Sequence, residues 1–296
     1  MMVQTNPSKN LQATPADVSG DSGTSDTSKT FKISAPSPHQ QAFLKQYQKR
    51  KWKIFSARIL LLFAILFLWE ICARTGLIND FIFSSPSRMF TCFLTSVKNQ
   101  ALFYHIFVTI GETLLSFLIV SFASLLFAAL LWFSKTLYEV LEPALVMLNS
   151  LPKSALAPVL IVWLGNNVKT VIVTGILLAI FASTITLTSG FYKTDLDKIR
   201  LMQMLGAGKR DILLKLLIPS SIPLILSTMK VNIGLCLVGV IIGEFMAAQA
   251  GLGYLIIYSS QVFQMDTVML SILILCIIAV LMYQSIALLS RKILKS

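Results

Sequence analysis

Long apolar runs, separated by short polar and basic connections, make up most of this sequence. A helix that crosses a lipid bilayer needs about 20 consecutive, mostly apolar residues. Runs of this kind predict six transmembrane helices, which centre on Leu66, Leu118, Pro158, Leu178, Leu235 and Ile278. The hydrophobic pattern therefore predicts an all-α polytopic membrane protein whose main solvent is lipid.

Basic residues beside these runs predict the orientation of the chain. Those that directly precede the first run are Lys49, Arg50, Lys51, Lys53 and Arg58. Because Lys and Arg accumulate on the cytoplasmic side of membrane proteins, the N-terminus is expected inside. An even number of spans returns the C-terminus to the same side, where Arg291, Lys292 and Lys295 follow the last run. The connection from 246 to 267 has no Lys or Arg and is expected outside.

Composition supports a membrane location and argues against a nucleic-acid partner. Hydrophobic residues make up 55% of the chain and charged residues 13%, which is more apolar than a soluble domain. The net charge of +12 resides in clusters beside the apolar runs, an arrangement that suits anionic lipid rather than nucleic acid. Residues 1–44 are polar and predict a disordered cytoplasmic tail before a membrane domain at 45–296.

The connection between the fourth and fifth runs, at about 190–222, is polar but strongly patterned. We predict a first helix that is capped by Asp195 and ended by Gly206, where a left-handed residue is useful. Its apolar positions recur on one face and are Leu196, Ile199, Met202 and Leu205. The polar positions opposite are Asp197, Lys198, Arg200 and Gln203.

A second short helix is predicted to begin near Lys209 and to be stopped by Pro219 and Pro223. Two helices of this size cannot bury their apolar faces alone. Either they lie in the lipid headgroup layer, or they insert into a groove of a cytoplasmic partner.

The third run is interrupted by Pro152 and Pro158, with Lys153 between them. Proline frees backbone groups, which membrane proteins tolerate where those groups face protein or a water-filled cavity. This span is therefore a candidate for lining a pathway. Equally, Lys153 could lie at the cytoplasmic interface and extend its ammonium group outward.

Ionisable residues within the apolar runs are costly and indicate functional positions. Besides Lys153, the candidates are Glu112, Lys230 and Glu244. Lys230 and Glu244 are too far apart on one helix to pair directly, since fourteen residues rise about 21 Å. Glu244 could instead pair across helices or cap the segment that follows. The predicted pathway residues are Pro152, Lys153, Pro158, Lys230 and Glu244, and the two lysines mildly favour an anionic solute.

Several ordered motifs resemble one family, the inner-membrane permeases of binding-protein-dependent ABC importers. The likeness runs from about Leu68 to the C-terminus and is strongest with the branch that serves sulfonates, taurine, nitrate and thiamine-precursor-like compounds. The motifs are WEICARTGLI, SSPSRM at 84–89, LPKSALAPVLIVWLG at 151–165, LGAGKRDILLKLLIPSSIP at 205–223, IIGEF at 241–245 and AGLGYLI at 250–256. The resemblance implies a type I importer permease fold.

In that family the cytoplasmic connection carries a Glu-Ala-Ala signature and then a glycine, and its first helix docks into the ATPase subunit. Gly206 matches the family glycine and Ile218-Pro219 matches its Leu-Pro. The Glu-Ala-Ala is replaced by Arg200, Leu201 and Met202, which reverses the sign of one docking contact. The implied docking residues are Asp195, Leu196, Ile199, Arg200, Met202, Gln203, Leu205, Gly206 and Pro219.

The resemblance also implies partners for this chain. They are an ABC ATPase subunit, an extracytoplasmic solute-binding protein, a second copy of this chain and membrane lipid. ATP and magnesium would be bound by the ATPase, and no cofactor by this chain. Gly206 to Lys209 does not complete a phosphate-binding loop, because Gln203 stands where the first glycine would be and Arg210 follows the lysine.

Other classes of function make different predictions. An ion-coupled secondary transporter or channel would also use broken spans and buried charges, but the sequence shows no pair of matching interrupted halves. An enzyme is disfavoured because His39 and His105 are isolated. A membrane scaffold would transport nothing in reconstituted vesicles.

Overall fold

A computed structural model describes residues 52–54, 56–57, 60–61, 63–65, 67–75, 84–98 and 101–294. The chain divides after Leu60 into two units. In the first, the described residues are helical. In the second, helix is present from 61 to 74 at the described positions, which flank the predicted centre at Leu66. The predicted tail at 1–44 lies outside the described residues.

The bundle is built from helices joined by short connections. We number them α1 (Pro86–Lys98), α2 (Ala101–Phe133), α3 (Lys135–Ser150), α4 (Lys153–Leu164), α5 (Val168–Tyr192), α6 (Leu196–Met204), α7 (Lys209–Ile212), α8 (Ile218–Ala247), α9 (Leu252–Gln261) and α10 (Met265–Ile293). A π-helical turn, Leu213–Leu217, joins α7 to α8. The described residues contain no strand, which confirms the predicted all-α class.

Four helical segments of the described residues are long and apolar enough to cross a bilayer, and a fifth span results if α3 and α4 are counted together. Four of these segments contain the predicted centres Leu118, Leu178, Leu235 and Ile278. The predicted run at Pro158 corresponds to α4, which is bent from α3 by 94°. The six-span prediction thus accounts for each of these segments, while the span at Leu66 lies partly outside the described residues.

The centre of the bundle is formed by α5 packed against α8 and α2. Glycine makes this packing close: a Cβ on Gly239 of α8 would lie 2.7 Å from Cα of Gly175 on α5, and one on Gly243 would lie 2.8 Å from Cα of Val171. Small residues four apart allow membrane helices to approach in this way. Several buried hydroxyls of α5 donate within their own helix, as Thr174 does to the carbonyl of Thr170 at 2.8 Å, whereas Thr170 donates to the carbonyl of Gly165 at the end of α4.

The α3–α4 bend occurs at Leu151 and Pro152. Pro152 precedes α4 as its N-cap, and Pro158 lies inside α4. Gly165 ends α4 with a φ of 84°, a conformation that glycine adopts without strain. Asn167 then caps α5 by accepting from the N–H groups of Lys169 and Thr170. Local sequence therefore sets both ends of this turn.

The predicted stop at Pro219 and Pro223 is wrong. The helix continues through both residues, because Pro219 lies in the first turn of α8 and Pro223 lies inside it. Proline at the first positions of a helix removes an N–H that would lack a partner in any case, and the π-helical turn before it absorbs the change in hydrogen-bond register. The connection is thereby joined to α8 as one continuous segment, Lys209–Ala247.

The start of α10 is tied to α1 by polar side chains. Asp266 accepts from Ser84 Oγ at 2.7 Å and from Arg88 Nη2 at 2.9 Å. Asp266 lies in the first turn of α10, where a carboxylate also interacts favourably with the helix dipole. The SSPSRM motif thus anchors α1 to this end of the bundle.

Candidate functional site

The connection at about 190–222, which we call the α6 connection, contains α6, and both ends of this helix have the structure that the sequence predicts. Asp195 caps α6 by accepting from the N–H of Asp197 at 3.0 Å. Gly206 has a φ of 81° just beyond the helix, and the N–H of Ala207 closes the end by donating to the carbonyl of Met202. The predicted cap and the predicted left-handed glycine are both confirmed.

One side of α6 is held against the bundle. Ile199 and Met202 pack on a buried cluster that includes Phe191, Ile212 and Leu217. Lys209 adds a polar link, since its Nζ donates to the carbonyl of Phe133 at the end of α2. The connection is therefore attached to two spans as well as to its own neighbours in the chain.

The rest of α6 presents apolar side chains to the outside. Met204 is 85% exposed and Leu205 is 76% exposed, and Leu201 and Leu196 are also exposed. Gln203 is exposed, and Arg200 lies beside Asp197 on the surface at 3.6 Å. We call Leu201, Met204 and Leu205 the α6 apolar face. The predicted stripe is thus divided: Ile199 and Met202 face the bundle, and Leu196 and Leu205 do not.

Lys153 is half-buried beside the α3–α4 bend. Its Nζ donates to Asn149 Oδ1 on α3 and to the carbonyl of Leu178 on α5, both at 3.0 Å. These bonds join the two arms of the bend to the adjacent span. The ammonium group is thus bonded to two protein acceptors. Pro152 and Pro158 flank it along α4, and their place on a pathway stays a prediction.

Lys230 and Glu244 lie on α8 in different surroundings. Lys230 is half-buried, whereas Glu244 is 1% exposed. Glu244 accepts from the N–H of Gly253 at 2.6 Å and from Thr109 Oγ1 at 2.6 Å. Of the two roles weighed from sequence, capping of the following helix is thus the one realised, since none of the ion pairs among described residues joins Glu244 to Lys230.

A cleft between α5 and α8, in which polar groups lie within a mostly apolar lining, was not predicted from the sequence. It is a cavity of about 130 Å³, and we call it the α5–α8 cleft. Its polar lining residues are Ser183, Thr186, Ser227, Thr228 and Asn232. Ser183 Oγ lies 2.5 Å from Asn232 Oδ1, while Thr186 and Ser227 are exposed. Hydroxyl groups at neighbouring positions of two apolar spans are the signal that could have revealed it.

The α6 connection, the α5–α8 cleft and Glu244 lie at successive positions along α8. The α6 connection leads into the start of α8, and Glu244 lies near its other end. Thirty residues of α-helix rise about 45 Å, which is sufficient to cross a bilayer. The α5–α8 cleft lies between these ends. One helix, α8, thus joins the α6 connection, the α5–α8 cleft and Glu244.

A family model described as "Binding-protein-dependent transport system inner membrane component" matches residues 120–295. The chain belongs to this family. The match covers the end of α2 and all of α3 to α10, and so includes both the α6 connection and the α5–α8 cleft. The permease is therefore an inner-membrane transport component, as the motifs indicated, and the predicted importer function is confirmed at this level.

Named relatives agree with this assignment. The taurine transport system permease protein TauC of Escherichia coli is 25% identical over 239 residues, which cover 77% of this permease and 85% of TauC. The formylaminopyrimidine transport permease protein ThiX of Halalkalibacterium halodurans is 26% identical over 191 residues, covering 64% and 75% of the two chains. Relatives of this permease are thus ABC importer permeases for small solutes, and the resemblance to the taurine and thiamine-precursor branch is confirmed.

A solved structure supports the fold. It is a crystal structure of a bacterial ABC transporter involved in the import of the acidic polysaccharide alginate. One of its chains matches with a TM-score of 0.59 and 14% identity, over 84% of this permease and 99% of that chain. The predicted importer permease fold is therefore confirmed.

Proposed function

We propose that this permease docks an ABC ATPase through the α6 apolar face and passes a small polar, anionic solute along the α5–α8 cleft. A separate binding protein delivers the solute from outside the cell. Two copies of the chain enclose the pathway, and ATP and magnesium are bound by the ATPase.

The observation that carries this proposal is the exposure of Met204 and Leu205 on a helix whose other side is firmly packed. Exposed apolar side chains clustered on a polar connection are typical of a contact site, and an amphipathic helix suits a groove in a partner. Because Ile199 and Met202 tie α6 to the core, a displacement of the docked helix would move the spans with it.

The ATPase that docks here is expected to differ from the ATPases of other family members in the group that faces Arg200. Arg200 is exposed on the same side as the α6 apolar face and occupies the position of an acidic family residue. We expect a carboxylate on the ATPase surface opposite the Arg200 guanidinium, because a basic group at that position would be repelled.

The solute class follows from the lining of the α5–α8 cleft. The hydroxyl groups of Ser183, Thr186 and Thr228 donate to carbonyl groups of their own helices. The Ser227 hydroxyl and the Asn232 amide are the lining groups that can donate to an oxyanion, and half-buried Lys230 lies one turn beyond Ser227 on α8. The relatives named for taurine and formylaminopyrimidine transport small polar solutes, in agreement with a site of this size.

The docking proposal is tested by replacing Met204 with Asp and, as a matched control, with Leu. Met204→Asp should abolish copurification of the ATPase subunit and ATP-driven uptake, because it introduces a charge into an apolar contact. Met204→Leu should preserve both. If Met204→Asp retains the ATPase at the wild-type ratio and transports normally, α6 is not the docking helix.

The orientation is tested by labelling single cysteines in a background where Cys72, Cys92, Cys236 and Cys276 are Ser. Leu205→Cys should react with a membrane-impermeant maleimide only after spheroplasts are opened. Val262→Cys, at the end of α9, should react in intact spheroplasts. The reverse pattern would place the α6 connection outside the cell and contradict the proposal.

A further inference from the structure

The start of α9 is bound by side chains from two spans. The N–H groups of Gly251, Leu252 and Gly253 donate in turn to His105 Nδ1 at 3.0 Å, Thr109 Oγ1 at 2.8 Å and Glu244 Oε2 at 2.6 Å. The first N–H groups of a helix have no partner within the helix. Here they are satisfied by α2 and α8, so this turn is fixed to both.

The turn encloses the Glu244 carboxyl group closely. A Cβ on Gly251 would lie 2.3 Å from Cδ of Glu244, and one on Gly253 would lie 2.8 Å from its Cβ. Gly251 also has a φ of 109°. Both glycines are therefore required for the approach, and the carboxyl group is shielded from solvent.

Glu112 of α2 carries a second carboxyl group near the first turn of α9. His105, Thr109 and Glu112 are spaced four and three residues apart on α2, which puts them on one face of the helix. Glu112 lies one turn beyond Thr109, whose hydroxyl group is bonded to Glu244 at 2.6 Å, so α2 brings the Glu112 side chain to the side of α8 that carries Glu244. Glu112 is 6% exposed, and its Oε2 is buried without a hydrogen-bond partner among the described residues.

No ion pair among the described residues neutralises the carboxyl groups of Glu112 and Glu244. His105 accepts a hydrogen bond through Nδ1, so it is not an imidazolium ion. Its other ring contacts are to Tyr104 and Tyr254. None of the ion pairs formed within the described part of the chain includes Glu112 or Glu244. Two adjacent buried carboxyl groups cannot both be ionised without a large electrostatic cost.

The hydrogen bonds decide which of the two is ionised. Thr109 has one hydroxyl hydrogen, and its oxygen already accepts from Leu252. That hydrogen is donated to Glu244 Oε1, while Gly253 donates to Oε2. Because both oxygens of Glu244 accept from protein donors at a helix N-terminus, the carboxylate form is favoured there.

We propose that Glu112 and Glu244 form a proton-binding site, in which Glu112 retains the proton and donates it in a hydrogen bond to ionised Glu244. The pair then carries one negative charge rather than two. The retained proton joins α2 to α8 at the point where both grip the first turn of α9. The proton is thus a structural ligand of this end of the permease, independent of ATPase docking and solute identity.

Infrared spectroscopy of the purified permease in lipid nanodiscs tests for the proton. At neutral pH the wild type should show the carbonyl stretch of a protonated carboxyl group. Glu112→Gln should remove that band, and the exposed control Glu139→Gln should keep it. A wild type without the band, or a band that survives in Glu112→Gln, would overturn the proposal.

Thermal unfolding of the same variants tests the asymmetry. Glu112→Gln should unfold within a degree or two of the wild type, since its amide N–H can donate to Glu244 as the retained proton does. Glu244→Gln should unfold several degrees lower, because its NH₂ must face either the Thr109 hydroxyl hydrogen or the Gly253 N–H. Equal losses of thermal stability in both variants would contradict the assignment.

Sodium-dependent stabilisation of the wild type without a carboxylic-acid band would indicate a bound cation and also refute the proposal. If Glu244→Gln cannot be purified, the infrared comparison still decides.

Discussion

Gly239 of α8 and Gly175 of α5 lie so close that a Cβ on Gly239 would be 2.7 Å from Cα of Gly175. This contact is between backbones and cannot be relieved by a side-chain rotation. Gly239→Val should therefore separate α5 from α8, and overpacking of this kind costs about 1–3 kcal/mol. The thermal midpoint in detergent should fall, and uptake should fall with it.

A matched control for this substitution is available on the same helix. A Cβ on Gly234 would meet no atom within 4 Å. Gly234→Ala should leave the midpoint unchanged or raise it slightly, because Ala is the better helix former. Equal destabilisation at both positions would show that α8 is sensitive to any added methyl group, and that close packing at Gly239 is not the reason.

Gly206 tests backbone conformation separately from space. Its φ is 81°, yet a Cβ would meet no atom within 4 Å. Gly206→Val should strain the end of α6 by about 1–2 kcal/mol, since L-residues disfavour the left-handed region, whereas Gly206→Asn should cost less. Copurification of the ATPase should decrease in the order wild type, Asn, Val. The same yield for all three would exclude a role for this conformation in docking.

Asp266 tests the link between α1 and α10. Asp266→Asn should weaken the contacts with Ser84 and Arg88, and the loss should be modest, about 1 kcal/mol or less, because both charged side chains are partly exposed. The difference from wild type should shrink at high salt. Lys135→Gln, which breaks the more exposed pair with Glu139, is the control and should have no measurable effect on thermal unfolding.

The α5–α8 cleft is tested by removing its exposed hydroxyl groups. The double variant Thr186→Val, Ser227→Ala should slow uptake at least several-fold with little change in thermal midpoint, because neither side chain is buried in the chain. Transport is measured with radiolabelled taurine, an alkanesulfonate and nitrate, using whichever the wild type accumulates. Ser285→Ala, an exposed hydroxyl on α10 that bonds within its own helix, should transport normally. Wild-type rates in the double variant would place the pathway elsewhere.

Local patterns in the sequence determine much of this permease. The apolar runs specify α2, α5, α8 and α10, because a lipid solvent leaves a helix as the only way for one segment to satisfy its own backbone. Asp195 and Gly206 set the ends of α6 through contacts within a few residues. Such features depend on spacing along the chain and can be read without the fold.

The features that require contacts between residues far apart in the sequence were decided by the tertiary structure. Pro219 and Pro223 suggested a break, yet packing and a π-helical turn keep the segment helical into α8. The α5–α8 cleft requires Ser183 and Asn232 to meet across 49 positions, and Glu244 reaches Thr109 across 135. Spacing identified Glu112 and Glu244 as costly residues, but it could not show that they share one site. The two residues come together only because the fold packs α2 and α8 around the first turn of α9.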